Sequence, residues 1–456
     1  MAFMGVGSYF SKWVPDNNLL PIFIAFELVL ALVGGSSVPM LYFSYAQDLP
    51  LQLVSITLTA IIGVLVGLEI PLLSRLMEKH YTLKANLANV LSIDYFGALI
   101  ATLVFPFFLL PWLGVFKTSL AFGLVNLSIA LSLLWYFSPV IASGPKATLR
   151  TALIVVSGLL VGLTVFSTQL NNEWNEQVFE DRIVHSEQSQ YQQLVMTRHK
   201  DDIRLYLNGG LQFSSIDEYR YHEALVHPAM SRLPENSSVL LLGGGDGLAV
   251  RELLKYQDVS DITVVDLDPS VAKLARNNPH LSALNQQSLN NAKVAVQHLD
   301  GFVFLSDHNV QYDLILIDLP DPKTTGLARL YSKQFYQLAR TRLKPSGILV
   351  TQATSPFFAK DAFWSIHNTV EASGFAGVVP YHLNVPSFGE WGFVMACNVA
   401  CRSEQRALPT TKFYSADVEL AMRAFSQDIV NKNAEISTLD KPNVLYYYLA
   451  GWKYWN

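Results

Sequence analysis

The apolar positions divide the chain into two parts. The first 170 residues contain five almost unbroken apolar segments, at about Leu19 to Ala46, Leu51 to Leu73, Leu87 to Leu110, Leu113 to Phe137 and Leu149 to Leu170. Each reaches the roughly 20 residues that a helix needs to cross the hydrocarbon core of a bilayer. The first contains GGSSVP at Gly34 to Pro39, a candidate break that would make it re-entrant. After NNEWNEQVFEDR the pattern changes to short alternating runs, YQQLVMTR and IRLYLNGGLQF, joined by HKDD, which predict antiparallel strands. A helix is expected over about Ile216 to Met230, and then strands near Val239, Ile262, Val294, Leu314 and Ile348 alternate with helices. That alternation predicts a doubly wound parallel sheet whose ligands lie beyond the strand C-termini.

The expected fold class is therefore an α-helical multi-pass membrane domain (1–170), a linker and small antiparallel β subdomain (171–213), an α/β Rossmann-like domain of methyltransferase type (214–401), and a helical, aromatic-rich tail (402–456). Composition agrees: of 456 residues 51% are apolar and 15% charged, too apolar for an ordinary soluble enzyme of this length. The net charge of −5 and the lack of a basic stripe exclude nucleic acid as an expected partner. A cleavable signal peptide is not expected at this N-terminus. Lys12, Arg75, Lys79, Lys84, Lys146 and Arg150 fall at alternate segment ends, the other ends having only Lys117. Five crossings would place those cations in the cytoplasm and the polar half outside, whereas a cytoplasmic nucleoside co-substrate would favour the opposite face. Cys397 and Cys401, without nearby histidines, make a poor metal site; no metal is expected.

The chemistry centres on VLLLGGGDGLAVRELL at Val239 to Leu254, which reads as strand, turn and helix. Gly243, Gly244 and Gly245 permit a tight turn and close backbone approach to a ligand, although a glycine-rich loop alone is also compatible with a plain turn. Asp266, in TVVDLDPS, lies 20 residues after Asp246, about where a nucleotide-binding unit places a carboxylate for ribose hydroxyls. Asp246 itself is unusual. A fixed anion beside the glycine loop would repel the carboxylate of S-adenosylmethionine and attract a cofactor that keeps only the ammonium; the other reading is a helix cap near Leu248, and the two are compatible. With Asp300 and Gly301 in HLDGFVF, and Asp318 and Asp321 in LIDLPDP, aspartates end four successive strands, an arrangement suited to a cationic or hydroxyl-rich ligand.

Within the apolar half, Glu27, Glu69 and Asp94 stand in AFELVLAL, LVGLEIPLL and LSIDYFGAL. Carboxylates there suggest a site for a cationic amine; pairing of Glu69 and Asp94 with Arg75, Asn86 or Asn89 is the alternative. Gly63, Gly67, Gly97, Ala98 and Gly123 are expected to allow close helix packing. The tail sequence VLYYYLAGWKYW, with Tyr446, Tyr447, Tyr448, Trp452, Tyr454 and Trp455, suits either a membrane interface or packing on the α/β domain.

The ordered motifs SQYQQLVM, LYLNGGLQFSSIDEYRYHEALVHPAM, LLLGGGDGLAVRELLKY, the DG of HLDGF, LIDLPDP and SFGEWGFVMA make Arg182 to Cys397 resemble the spermidine synthase (polyamine aminopropyltransferase) family, and the apolar segments resemble its membrane-embedded branch. The resemblance implies decarboxylated S-adenosylmethionine as co-substrate, a small polyamine acceptor, a bilayer location and a possible homo-oligomer. It implies that Gln192 and Asp266 contact the ribose region, Asp300 the adenine amino group, and Gln212 and Asp246 the aminopropyl end. Asp318 is implied as the catalytic carboxylate, with Asp321 and Gln352 at the acceptor. Two departures bear on the acceptor: NVPSFGEWGF has Pro386 or Phe388 where the soluble enzymes usually have a tyrosine, and DLPDP replaces small polar residues between the aspartates. Trp391 and Phe393 read as core. A methyltransferase using S-adenosylmethionine and an amine-binding or transport protein are the competing readings.

Overall fold

A computed structural model describes residues 1–456 except 48, 79–80, 171–178, 180, 403–404 and 454–456. Lys79, Tyr454, Trp455 and most of the expected linker lie outside the described residues. The chain divides into two compact units, Met1–Gln190 and Tyr191–Asn456.

The first unit is helical: α1 (Ala2–Phe10), α2 (Leu19–Ala46), α3 (Leu51–Met77), α4 (Leu83–Val104), α5 (Leu110–Tyr136) and α6 (Ser143–Val165), followed by strand β1 (Arg182–Gln188). Among the described residues four helices are long and apolar enough to cross a membrane, rather than the five segments expected, because the third runs from Lys84 to Tyr136 across a kink. Its 53 residues would extend about 80 Å, far more than one crossing requires. Inside it Gly114 has φ 70° and ψ 174°, a non-helical break that leaves two arms of bilayer length.

The expected break in the first segment is absent, for α2 continues through Pro39. Hydroxyls explain part of this continuity. Ser36 donates to the Leu32 carbonyl at 2.6 Å and Ser37 to the Gly34 carbonyl at 2.7 Å, so both polar side chains are satisfied by the helix itself. Close packing occurs at some of the expected glycines. A Cβ on Gly123 would lie 2.6 Å from Gly35 Cα, and one on Gly63 2.8 Å from Phe3 Cβ, whereas Gly97 has nothing within 4 Å and does not serve a helix contact. The short α1 was not legible as an element. Its Met4 carbonyl occupies the space a side chain at Gly67 would need.

The second unit begins with β2 (Gln193–His199), β3 (Asp202–Leu207) and β4 (Gly210–Ser214), an antiparallel meander, and α7 (Glu218–Met230). The turn at HKDD is tight, with Lys200 at φ 53°. There follow β5 (Ser238–Gly243), α8 (Leu248–Leu254), β6 (Asp261–Val265), α9 (Pro269–Asn277), α10 (Pro279–Leu284), β7 (Val294–Gln297), α11 (Gly301–Asp307), β8 (Tyr312–Asp318), α12 (Thr325–Ala328), α13 (Lys333–Thr341), β9 (Leu343–Gln352) and α14 (Lys360–Glu371). The sheet order β10-β11-β9-β8-β5-β6-β7 contains the five expected parallel strands and ends in an antiparallel hairpin, β10 (Gly377–Val385) and β11 (Gly389–Cys397). Strand β5 is flanked by β6 on one side and β8 on the other, so the order reverses there. Crevices at such reversals are where open α/β sheets bind ligands.

The tail is shorter in helix than expected. The predicted helix from Ala416 to Asn431 is confined to α15 (Ala416–Met422), followed by a single 3₁₀ turn at Gln427–Ile429. The final helix α16 (Asn443–Trp452) packs on this unit, burying Val444 and Leu445 in the core that holds Phe335, Phe363 and Trp364. Cys397 and Cys401 form a disulfide, a pairing not called from the sequence.

Candidate active site

Gly243 and Asp318 are register partners on β5 and β8, so the glycine turn and the LIDLPDP turn leave the sheet side by side at the reversal. The glycines are dictated by this crowding. Gly243 and Gly244 have φ of 85° and 67°, the left-handed region, and a Cβ on Gly243 would overlap the Asp318 carbonyl oxygen. A Cβ on Gly245 would fall 2.5 Å from Asp266 Oδ2. Asp246 accepts a hydrogen bond from the Leu248 amide at 2.8 Å through one carboxylate oxygen, so the capping reading is present in the structure.

Asp266 receives the amides of Gly245 and Asp268, each at 3.0 Å. Burial nevertheless pushes its carboxyl upward. Gln192 donates to Asp268 at 3.0 Å, which brings the β2 entry loop to the expected ribose region. Asp300 caps α11 through the amides of Phe302 and Val303, at 3.0 and 3.1 Å, and its other oxygen pairs with Arg329. Gly301 opens that helix. Gln212 is farther from commitment: its amide donates to the Gly210 carbonyl at 3.1 Å.

Two residues of α7, from the DEYRYHE motif, complete the centre. Tyr221 donates its hydroxyl to Asp318 at 2.6 Å. Burial pushes the Asp318 carboxyl above its ordinary range, against the opposing pull of His222 and of the tyrosine. His222 is held by Glu218 at 2.8 Å, and Glu218 is gripped in turn by Arg251 at 2.8 and 2.9 Å. Burial works against the imidazolium, but the Glu218 bond and the charges of Glu218, Asp246 and Asp318 hold it up to about 9. The His222 cation thus acts on both carboxylates, Asp246 and Asp318. Burial also raises Asp246 to about 6, with Asp318 adding to it and His222 opposing.

The side expected to take the acceptor is built on the chain after Asp318. Tyr331 is buried and donates to the carbonyls of Leu319 and Pro320, both at 3.0 Å, which fixes the LPD turn. Gln352, at the end of β9, donates to the Leu319 carbonyl at 2.7 Å and reaches Asp321 at 3.4 Å. Tyr448 of α16 donates to the other Asp321 oxygen at 3.1 Å. Burial raises Asp321 to about 6 despite these donors and the nearby Lys323. Phe393 is fully buried as expected of core, whereas Trp391 and Phe388 are partly exposed and lie against Tyr221, at ring distances of 6.5 and 6.2 Å. Pro386 and Phe388 bring no hydroxyl; Ser387 between them is held by Asp217 at 2.6 and 2.8 Å.

Sequence reasoning missed Tyr221, His222, Tyr331 and Tyr448 as site residues. The first two lay inside a quoted motif, and the fourth is 127 residues from its partner. Elsewhere in this unit Glu223, His227 and Glu252 cluster closely enough to suggest a metal site. Their contacts explain the cluster otherwise: Glu223 receives the amides of Lys412, Phe413 and Tyr414 at 2.8 to 2.9 Å, and Glu252 pairs with His227 and Lys255 at 3.0 and 2.6 Å.

In the helical unit, Glu27 and Glu69 line one tight packing gap, too small to admit a water, together with Phe23, Phe26, Leu30, Leu65, Leu68 and Leu72. Asp94 is on an exposed stretch of α4. Arg75 is bound to Asp16 and to the carbonyls of Ser11 and Val14, each at 2.7 Å, and Asn86 to the Ser74 carbonyl at 2.6 Å, so these groups are engaged elsewhere than with Glu69.

Residues 218–405 match the spermine/spermidine synthase domain family. A polyamine aminopropyltransferase of Leptospira interrogans is 41% identical over 98% of this chain and 89% of its own. One from Oceanobacillus iheyensis is 41% identical over 99% of this chain and 89% of its own. A solved spermidine synthase of Thermotoga maritima aligns with 54% of this chain and 85% of its own, at 23% identity and a TM-score of 0.49. Identity sustained over nearly the full length of such relatives means that the chain belongs to the polyamine aminopropyltransferase family.

Proposed function

We propose that the protein transfers the aminopropyl group of decarboxylated S-adenosylmethionine to an amine acceptor such as putrescine, giving spermidine or a related polyamine. The observation that carries this reading is the pair Asp246 and Asp318 across the sheet reversal, with Asp321 beyond. Gly243, Gly245, Asp266, Gln192, Asp300 and Gly301 frame the nucleoside side, Gln212 and Asp246 the aminopropyl ammonium. A fixed carboxylate at Asp246 fits a cofactor that carries an ammonium and lacks the neighbouring carboxylate.

In the reaction the acceptor nitrogen attacks the carbon attached to the sulfonium, a C–N bond forms, and the C–S electron pair passes to sulfur to leave a neutral thioether. The acceptor must first lose a proton, because a free alkylamine has a pKa near that of lysine, roughly 10. Asp318 takes that proton, its basicity raised by burial and its orientation set by Tyr221. Asp321 and Gln352 hold the far end of the acceptor. Mass spectrometry after incubation with each co-substrate and a panel of di- and polyamines tests the reading. An aminopropyl adduct is expected; methyl transfer from the parent cofactor instead would establish a methyltransferase.

The apolar helices are proposed to anchor the enzyme in a bilayer, with the α/β unit outside. Support comes from the cationic segment ends and from the Cys397–Cys401 disulfide, since such bonds persist in oxidising compartments. Glu27 and Glu69, which line one tight gap that would have to open, are candidates to bind a protonated amine within the helical unit, with Asp94 on the adjoining helix. Unchanged polyamine binding and movement in sealed vesicles after all three are changed to amides would leave a plain anchor.

A further inference from the structure

The C-terminal helix reaches the catalytic crevice from outside the matched family domain, which ends at residue 405. Its position is fixed on several sides. Val444 and Leu445 are buried in the core beside Trp364, and a Cβ on Gly451 would lie 2.8 Å from both Ala359 Cα and the Phe358 carbonyl oxygen, so the helix backbone rests directly on the start of α14. Trp452 stacks on Phe358 at 5.1 Å, and the edge of that same phenylalanine fills the space beside Gly389, where β11 begins. The helix is thereby tied to the strand that carries Trp391. From this footing Tyr448 projects its hydroxyl to Asp321.

We infer that α16 forms one wall of the acceptor subsite and that Tyr448 is a positioning residue, orienting Asp321 toward the ammonium of the incoming amine in a site where NVPSFGEWGF offers no tyrosine. The inference rests on the aminopropyl-transfer reading and adds to it the origin of the acceptor's far-end contact. Asp321 has two oxygens; Gln352 approaches one and Tyr448 the other. Each donor fixes a lone pair and leaves the remaining acceptor capacity directed into the crevice. The groups facing Asp321 are Lys323 from its own loop, Gln352 and Thr354 from the end of β9, and Tyr448 from α16, with Tyr221 and Tyr331 also close enough to feel its charge. Tyr448 is itself held protonated by burial and by the carboxylate it serves, so it remains a donor throughout the working pH range.

The test uses the full chain with Tyr448→Phe, and Tyr446→Phe as a control because Tyr446 is exposed on the same helix. With putrescine varied, Tyr448→Phe is expected to raise the acceptor KM about tenfold, the scale of one hydrogen bond to a charged group, with the co-substrate KM unchanged. Removing a donor from a carboxylate raises its pKa, so the acid limb of kcat/KM for the amine should move to higher pH. Loss of packing alone would not move that limb. In an Asp321→Asn background Tyr448→Phe should add little, because its partner is already altered. An unchanged acceptor KM and acid limb, or full additivity with Asp321→Asn, overturns the inference. Two measurements separate the two failures: absence of aminopropyl transfer by the parent chain in the mass-spectrometric assay overturns the proposed function, while equal putrescine affinity of the parent and Tyr448→Phe proteins in calorimetric titration overturns the role of Tyr448.

Discussion

At the scale of single residues, Asp246 and Asp318 face the same imidazolium but are assigned different tasks, and their variants should separate. Asp318→Asn removes the base and keeps the shape, so kcat should fall by roughly 10²- to 10⁴-fold with little change in co-substrate affinity, measured by calorimetry beside steady-state kinetics. Near-normal turnover would remove Asp318 from the chemistry. Asp246 must be ionised to hold an ammonium, and burial has raised its carboxyl to about 6. Affinity for decarboxylated S-adenosylmethionine should therefore be intact above that pH and decline as pH falls through it. In Asp246→Asn the decline should disappear and the preference over the parent cofactor should narrow; an unaltered pH dependence would contradict the assignment. Aspartates at successive strand ends were legible because a doubly wound sheet delivers every strand C-terminus to one rim. Tyr221 and Tyr331 were not, because an aromatic in an amphipathic stretch reads as core until its hydroxyl is seen to have a carboxylate or carbonyl partner.

At the scale of elements, small residues in apolar helices carry no label saying which face they occupy. Gly123 and Gly97 looked equivalent in the sequence, yet Gly123 crosses Gly35 at a separation that excludes a side chain and Gly97 is open. Replacement of Gly123 by leucine should destabilise the helical unit by about 1–3 kcal/mol or displace α2 from α5, while Gly97→Ala should be tolerated. Unfolding in mild detergent by a graded denaturant would compare them, and equal midpoints would refute the packing argument. The boundary errors have a similar origin. GGSSVP looks like a break in water, where free backbone groups and serines compete with the helix, but in α2 the serine hydroxyls bond back to the preceding turn and the helix persists. Conversely the turn at Gly114 was foreseen only as a gap of two residues between apolar segments, since a left-handed glycine leaves no trace in hydropathy.

At the scale of the whole molecule, the two halves pose a question of sidedness on which sequence and structure bear by separate routes. The apolar half has its cations at alternate segment ends, and the arms of the helix broken at Gly114 restore five lengths able to cross, an odd number that sends the following chain to the face opposite Lys12. The α/β half contributes a bond rather than a charge. Cys397, at the end of β11, is joined to Cys401, and a cytoplasmic thiol pair would ordinarily be kept reduced. Both lines favour the proposed outside location of the α/β unit, which would require the co-substrate to be exported or supplied there. In sealed right-side-out vesicles prepared with thiols blocked, a membrane-impermeant reductant followed by a maleimide polymer should label both cysteines without lysis. If instead the cysteines are already free at harvest and react only with permeant reagents, the α/β unit is cytoplasmic, and one of the five apolar arms does not cross the bilayer.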